Sequence, residues 1–334
     1  MTSNWASKSN QRVEMDGTSD EAVPLPTVPR ERERDREGER CGFVAIIGAP
    51  NVGKSTLVNA MVGSKVTIVT PKVQTTRAII RGIAIEGGSH LIFVDTPGIF
   101  APRRRLDRAM VAVAWSGAHD ADIVALTVDA KRGLDDETMA IAAKLADIEA
   151  IKILIVNKVD LVAKPTLLGL VRAANDRIKF TATYMVSAQS GDGVAEVKRW
   201  LAAHAPSGPW HYPQDQISDA PMRALAAEIT REKIYLRLHQ ELPYRSTVET
   251  DVWKELRDGS VRIEQTIFVE RESQRKIALG KGGQAIRSIG AEARKEIATL
   301  IEKPVHLFLF VKVRERWADD PARYREMGLE FPRD

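Results

Sequence analysis

An α/β domain built on a mainly parallel, doubly wound sheet, followed by a smaller α+β domain, is the architecture that this 334-residue sequence predicts. Three observations lead there. Between residues 41 and 204, apolar runs of strand length alternate with helical patterns, an order that places helices on both faces of a parallel sheet. Residues 205–220 carry Pro206, Pro209 and Pro213 without periodicity and read as an interdomain linker. From 221 to 334 the order changes to helix, two strands, two helices and a last strand.

Residues 1–40 are polar and end in Arg30-Glu-Arg-Glu-Arg-Asp-Arg-Glu-Gly-Glu-Arg40. Like charges repeat there at i,i+4 and weaken any helix, so the segment is expected to be a disordered charged tail. The first strand, Phe43–Ile47, runs into Gly48-Ala-Pro-Asn-Val-Gly53-Lys54-Ser55, and a helix is expected over 54–62. A second strand, Leu91–Val94, is closed by Asp95-Thr-Pro-Gly98. A third, Ile151–Val156, leads into Asn157-Lys-Val-Asp160, and Ala182–Val186 leads into Ser187-Ala188. Further helices are expected at roughly 106–116, 134–147, 164–179 and 191–203.

The strand ends carry the chemistry. The first segment has the form G-x-x-x-x-G-K-[ST], whose glycines let backbone N–H groups curl around a β-phosphate while the lysine reaches the β/γ oxygens. Gly48, Asn51, Val52, Gly53, Lys54, Ser55 and Thr56 are therefore candidate phosphate-binding residues, with Ser55 as a Mg²⁺ ligand. Asp95 is placed to hold the same metal through water, and the Gly98 amide to bond a γ-phosphate. The Asp160 carboxylate can accept the N1–H and 2-amino group of guanine, a pair that adenine lacks. Asn157 and Lys158 stand beside it, and Ser187 and Ala188 are expected to complete the base pocket through backbone N–H groups to O6. Singly, each tetrapeptide reads as an ordinary loop. In this order and spacing they describe a guanine-nucleotide switch that binds and hydrolyses GTP.

Composition is compatible with that reading. The net charge of +4 is mildly basic, which permits a nucleic-acid partner without requiring one. A single cysteine, Cys41, allows no internal disulfide and suits a reducing compartment. No apolar run approaches a membrane span, and neither a signal-peptide core nor an acid-free transit segment begins the chain.

After the linker a helix is expected over about 221–241, then two strands, in the second of which Val261, Ile263, Ile267 and Val269 alternate with polar residues. Ile277-Ala-Leu-Gly280-Lys281-Gly282-Gly283 precedes a helix whose Ile286, Ile289, Ile297 and Leu300 share one face, and Val305–Val313 alternates as a final strand. A Gly-x-x-Gly loop joining two helices beside three strands is the device of a KH domain. Its glycines let a nucleic-acid backbone approach, its N–H groups and the next helix N-terminus meet phosphates, and Lys281 adds charge. Ile277 and Leu279 would floor the groove. Gly280, Lys281, Gly282, Gly283 and Arg287, one turn into the next helix, complete the candidate RNA-binding set.

From Gly42 to the C-terminus the chain resembles the Era GTPases, which join a P-loop GTPase domain to a smaller type II KH domain. Besides the motifs above, the resemblance rests on Gln74-Thr-Thr-Arg77 in the expected first switch, Ile229–Lys233 and Glu241-Leu-Pro-Tyr244 at the domain junction, Val269–Gln274, Ala293-Arg-Lys295, Val305–Phe308, Val311–Val313 and Trp317-Ala-Asp-Asp320. It implies a ribosome-assembly factor that binds the 3′ end of 16S rRNA in the small (30S) subunit. It also implies a cytoplasmic monomer with peripheral attachment to the inner membrane and no DNA partner. Switch I is then expected to bring Thr76 to the metal, with Thr75 the alternative, so that Lys54, Thr76, Asp95 and Gly98 carry catalysis. The position after Gly98, where small GTPases often place a water-orienting glutamine, is Ile99, and slow intrinsic hydrolysis is expected. The other reading is a GTPase whose C-terminal domain is a protein or membrane interaction module in cell-cycle control.

Overall fold

The computed structural model describes residues 39–238, 242–315 and 320–332. Its first sheet contains β1 (Arg40–Ile47), β2 (Ile80–Glu86), β3 (Ser89–Asp95), β4 (Ile123–Asp129), β5 (Ile151–Asn157) and β6 (Ala182–Val186) in the order β2-β3-β1-β4-β5-β6. Every neighbouring pair is parallel except β2 and β3. Strands β3 and β4 are buried along their whole length, as strands covered on both faces must be.

Helices α1 (Lys54–Val62), α2 (Arg105–His119), α3 (Asp136–Leu145), α4 (Lys164–Asn175) and α5 (Val194–His204) supply the cover. Successive residues of β1 point to opposite faces. Val44 and Ile46 meet Leu57, Met61 and Leu201 of α1 and α5, whereas Ala45 and Ile47 lie in the core with Trp115, Ile141 and Leu167 of α2, α3 and α4. Because β1, β3, β4 and β5 run parallel, their C-terminal ends open on one edge of the sheet, where ligand crevices form in such folds.

The structure moves several expected boundaries. The β2–β3 hairpin was not distinguished in the sequence, although Gly87-Gly88 between two apolar runs is the two-residue turn that would have marked it. Strand β4 was likewise not singled out. Of the expected tail, residues 1–38 lie outside the described residues, but Glu39 and Arg40 are ordered. The Glu39 carbonyl accepts the Gly208 amide at 3.1 Å, and the Arg40 guanidinium donates to the Ala205 carbonyl at 2.7 Å.

Residues 205–220 are bonded along the sheet rather than forming a free tether. The Cys41 amide donates to Pro206 O at 3.0 Å and the Ile83 amide to Ile217 O at 2.9 Å, and Arg81 pairs with Asp219 at 2.8 Å. The segment thereby covers the outer edge of β2, an exposed ladder that proteins protect from stray pairing. His90 in β3 lies under Trp210 of this strap, ring centroids 5.2 Å apart, with Tyr212 at 6.2 Å and the Phe43–His211 pair beside them.

The second domain follows the order α6 (Met222–Arg237), β7 (Ser246–Glu255), β8 (Val261–Val269), α7 (Glu272–Leu279), α8 (Gln284–Ile301) and β9 (Val305–Val313). Its sheet is β7-β8-β9, antiparallel between β7 and β8 and parallel between β8 and β9. Alternate residues Val261, Ile263, Ile267 and Val269 of β8 bury against α6 and α8. Helix α6 ends at Arg237, short of the expected 241, and residues 239–241 lie outside the described set, as do 316–319 of the Trp317–Asp320 motif. A short helix α9 (Pro321–Glu326) brings Tyr324 onto Leu106 and Met110 of α2. Among the described residues no helix is long and apolar enough to cross a membrane.

His90 gives the strap a pH signature. It is fully buried, and neither ring nitrogen has a hydrogen-bond partner among the described residues. Burial, reinforced by His211, pushes its pKa below the usual 6.5. The unfolded chain takes up a proton near that pH which the folded chain refuses, so this contribution to stability is full at higher pH and declines as pH falls. The thermal midpoint should therefore drop between about pH 6.5 and 5, and His90→Phe, which keeps a ring without a titrating group, should flatten that slope. Identical slopes for the two proteins would exclude His90 as the cause.

Candidate nucleotide site and nucleic-acid groove

The loop between β1 and α1 has the backbone its sequence requires. Gly48 (φ 151°) and Gly53 (φ 96°) occupy conformations that side-chain-bearing residues rarely adopt. A Cβ on Gly48 would lie 2.4 Å from the Thr127 carbonyl oxygen, and one on Gly53 would lie 2.3 Å from the Asn157 amide nitrogen. Asn51 also has positive φ, at 63°. Gly53 caps α1 without a side-chain acceptor, leaving the first-turn N–H groups directed at an adjacent cavity of about 470 Å³ lined by Lys54, Ser55, Thr56, Thr76, Gly98 and Lys158.

Lys54 is buried, and its Nζ donates to Gly48 O at 3.1 Å and Ala49 O at 2.9 Å. Burial lowers its pKa to about 8, against the opposing attraction of Asp95. Asp95 is fully buried, and burial raises its pKa despite three hydroxyl contacts. Ser55 Oγ and Thr67 Oγ1 each donate to its Oδ2 at 2.8 Å, and Thr76 Oγ1 does so at 3.3 Å. Ser55 Oγ and Thr76 Oγ1 are 2.9 Å apart, while Oδ1 of Asp95 has no partner among the described residues. Two hydroxyls and a carboxylate with one free oxygen form a hard oxygen donor set that fits Mg²⁺.

This geometry separates the two threonines that the sequence left open. Thr76 faces Ser55 and Asp95, whereas the Thr75 hydroxyl bonds Thr70 Oγ1 and Lys72 O. Gly98 packs so closely on the loop that a Cβ would come within 2.9 Å of Pro50 Cα, and the following amide, of Ile99, bonds Gly48 O at 3.1 Å. The Ile99 side chain is buried in the core.

At the other end of the site, Asn157 joins two loops. Its Nδ2 donates to Val52 O at 2.9 Å and its Oδ1 accepts the Ala188 amide at 3.0 Å. Lys158 reaches Asn51 O at 2.6 Å and Asp129 at 2.7 Å. Asp160 is exposed beside them. The Ser187 and Ala188 amides, expected to meet guanine O6, lie in the loop that follows β6. Ser187 N–H closes its own loop on Asp192 O at 3.0 Å and Ala188 N–H is held by Asn157, so both are engaged within the protein. Two further residues were missed: Thr67, which supports Asp95, and Asn59, whose Oδ1 accepts the Val66 and Thr67 amides and so aligns that threonine. Nothing local in the sequence marks either.

In the second domain Gly280 (φ 73°), Gly282 (φ 59°) and Gly283 (φ 75°) turn the chain between α7 and α8. A Cβ at Gly280 would meet Ala285 at 2.8 Å, whereas Gly282 faces open space. Lys281 and Arg287 are exposed, and Arg287 braces the turn through Gly282 O at 2.5 Å. Ile277 is 54% exposed, an unusual position for an isoleucine unless its surface meets a ligand. Arg275 ties α7 to β9 through Val311 O at 3.2 Å.

Residues 43–158 match the family described as 50S ribosome-binding GTPase, and residues 241–318 match the KH domain. The chain is 72% identical over 295 residues to GTPase Era of Bradyrhizobium sp. (strain BTAi1 / ATCC BAA-1182), covering 88% of this chain and 96% of that one. The chain belongs to the Era GTPase family. It is also 63% identical to GTPase Era of Rhizobium meliloti (strain 1021) over 294 residues, covering 88% of this chain and 94% of that one. A crystal structure of Era in complex with MgGDPNP and nucleotides 1506–1542 of 16S ribosomal RNA superposes with a TM-score of 0.82 at 34% identity, covering 87% of this chain and 99% of that one. A tyrosine-to-alanine variant of Aquifex aeolicus Era bound to GDP·AlF4⁻ gives the same TM-score and identity over 86% of this chain and 99% of that one. As an Era-family member the chain is a GTPase with a P-loop domain and a KH domain.

Proposed function

We propose that the chain hydrolyses GTP at the edge of its first sheet and binds the 3′ end of 16S rRNA through the Gly280–Gly283 groove, acting in assembly of the small ribosomal subunit. The convergence of Ser55, Thr76 and Asp95 beside the uncapped start of α1 carries the nucleotide half of this reading. The reaction is GTP + H₂O to GDP + phosphate. The α1 amides and Lys54 hold the phosphates and offset their charge, Ser55 and Thr76 offer hydroxyls to the metal, and the Gly98 amide bonds the γ-phosphate. Mg²⁺, when bound, neutralises charge on the β- and γ-oxygens. Buried Ile99 cannot orient the attacking water, which supports slow turnover for the isolated protein.

The RNA half rests on the exposed Ile277, the open Gly282, and the cations Lys281 and Arg287. The Era structure solved with 16S rRNA nucleotides 1506–1542 supports the choice of RNA. The match to a 50S ribosome-binding family covers only residues 43–158, whereas RNA choice resides in the other domain. A cytoplasmic location is part of this reading.

Two experiments test it. Asp160→Asn removes the carboxylate that selects guanine. The loss of two charge-assisted hydrogen bonds should weaken GTP on the order of a hundredfold and favour xanthosine triphosphate, and unchanged GTP affinity would refute the base assignment. Gly282→Asp places a carboxylate where phosphate should pass. Crosslinking in cells should recover the 3′ end of small-subunit rRNA with the native protein and lose it with this variant. Equal recovery of unrelated RNA by both would remove the groove assignment.

A further inference from the structure

The expected metal ligand Thr76 is flanked on both sides by residues bonded to the KH-containing domain. The phenol of Tyr235, in α6, donates to Gln74 O at 3.2 Å, and its oxygen accepts the Arg77 guanidinium at 2.9 Å. Arg231, one turn earlier, donates to Thr75 O while pairing with Glu228. Arg77 continues across the junction to Ser246 O at 2.8 Å, Tyr244 O at 3.2 Å and Pro243 O at 3.3 Å. Further back, Glu232 accepts the Val69 amide at 2.9 Å, and Lys72 caps the last turn of α6 through Tyr235 O and Leu238 O.

These are buried contacts. Arg231 is 1% and Tyr235 0% exposed, and Arg77 is 4% exposed. Each carbonyl that they hold would otherwise need another partner. Gln74 has φ 58°, a left-handed conformation that a non-glycine residue keeps only when its surroundings hold it. The surroundings here are Tyr235 at its carbonyl and Asp107 at its side chain, the latter at 2.8 Å. The chain between those fixed points has one residue facing the metal donor set, and its hydroxyl is already within 2.9 Å of Ser55.

We infer that Tyr235 and Arg231 are positioning residues for GTP hydrolysis: the KH-containing domain holds switch I so that Thr76 meets the metal. This rests on the proposed nucleotide site. It assigns α6 a task in the reaction beyond packing its own domain. The nucleotide domain would then complete its catalytic geometry only when α6 is docked on switch I.

Tyr235→Phe removes the hydroxyl and keeps the ring, so the core around α6 is retained. In the full-length protein, single-turnover hydrolysis should slow about fivefold, the worth of the one ordinary hydrogen bond that the phenol donates to Gln74 O. The Mg²⁺ concentration for half-maximal rate should rise with GDP affinity near native, while the thermal midpoint falls modestly for the buried carbonyl left unpaired. Arg231→Lys, which keeps a charge beside Glu228 but loses the guanidinium N–H that reaches Thr75 O, should act in the same direction. In a Thr76→Ala background, Tyr235→Phe should have no further effect, because its action passes through that threonine. A native rate and Mg²⁺ dependence in Tyr235→Phe would overturn the inference, as would an increased rate, which would make the contact a restraint. Full additivity with Thr76→Ala would also overturn it. A native protein that hydrolyses no GTP would instead overturn the site reading on which the inference stands.

Discussion

A carboxylate fully buried at the end of β3 organises much of the first domain. Burial disfavours the charge on Asp95, and the structure compensates with hydroxyls from three separate places: Ser55 in α1, Thr67, and Thr76 in switch I. Lys54 stands near enough to lower the carboxylate pKa, while its own charge is disfavoured by the same dry surroundings. Each group is poorly placed without the others. A phosphate and a metal would resolve both strains, the phosphate meeting Lys54 and the metal meeting the free oxygen of Asp95.

Switch I serves two neighbours at once. The Thr76 hydroxyl faces Asp95, while the Gln74 and Thr75 carbonyls and the side chain of Arg77 face α6 and the residues Pro243, Tyr244 and Ser246. The charges around Lys65, Glu232, Lys233 and Glu296 extend the same junction from the start of switch I to α8. Helix α8 is preceded by its N-cap Gly283, in the proposed RNA groove. A continuous set of packed and bonded elements therefore connects the two candidate sites. Contiguity permits coupling, but only a difference in free energy between two nucleotide states establishes it.

What the sequence disclosed follows the range of the interactions. The phosphate loop, Asp95 and the Gly280–Gly283 turn are short, and their glycines are demanded by local backbone geometry, so pattern and chemistry coincide. Asn157 was legible as a motif, but its role in joining Val52 to Ala188 was not, and the engagement of the Ser187 and Ala188 amides emerges only from loop geometry. Thr67 supports Asp95 from 28 positions away, and Tyr235 meets Arg77 across 158 positions. Such contacts leave no periodicity to read. Prolines break any regular pattern in the linker at 205–220, so its course along the sheet is not legible there; Trp210, His211 and Tyr212 supply the aromatic surface that packs it down. The threonine pair was resolved by space alone: neighbours in sequence, Thr75 and Thr76 point their hydroxyls at different partners.

If switch I and α6 link the nucleotide site to the RNA groove, each ligand must change the affinity for the other. The decisive quantity is the affinity of the full-length protein for a labelled RNA carrying the 3′ end of 16S rRNA, measured with saturating Mg²⁺ and either a non-hydrolysable GTP analogue or GDP. The linkage requires tighter RNA binding with the analogue, and reciprocally tighter binding of the analogue when RNA is present. Equal RNA affinity in both nucleotide states would contradict it, leaving two independent sites on one chain.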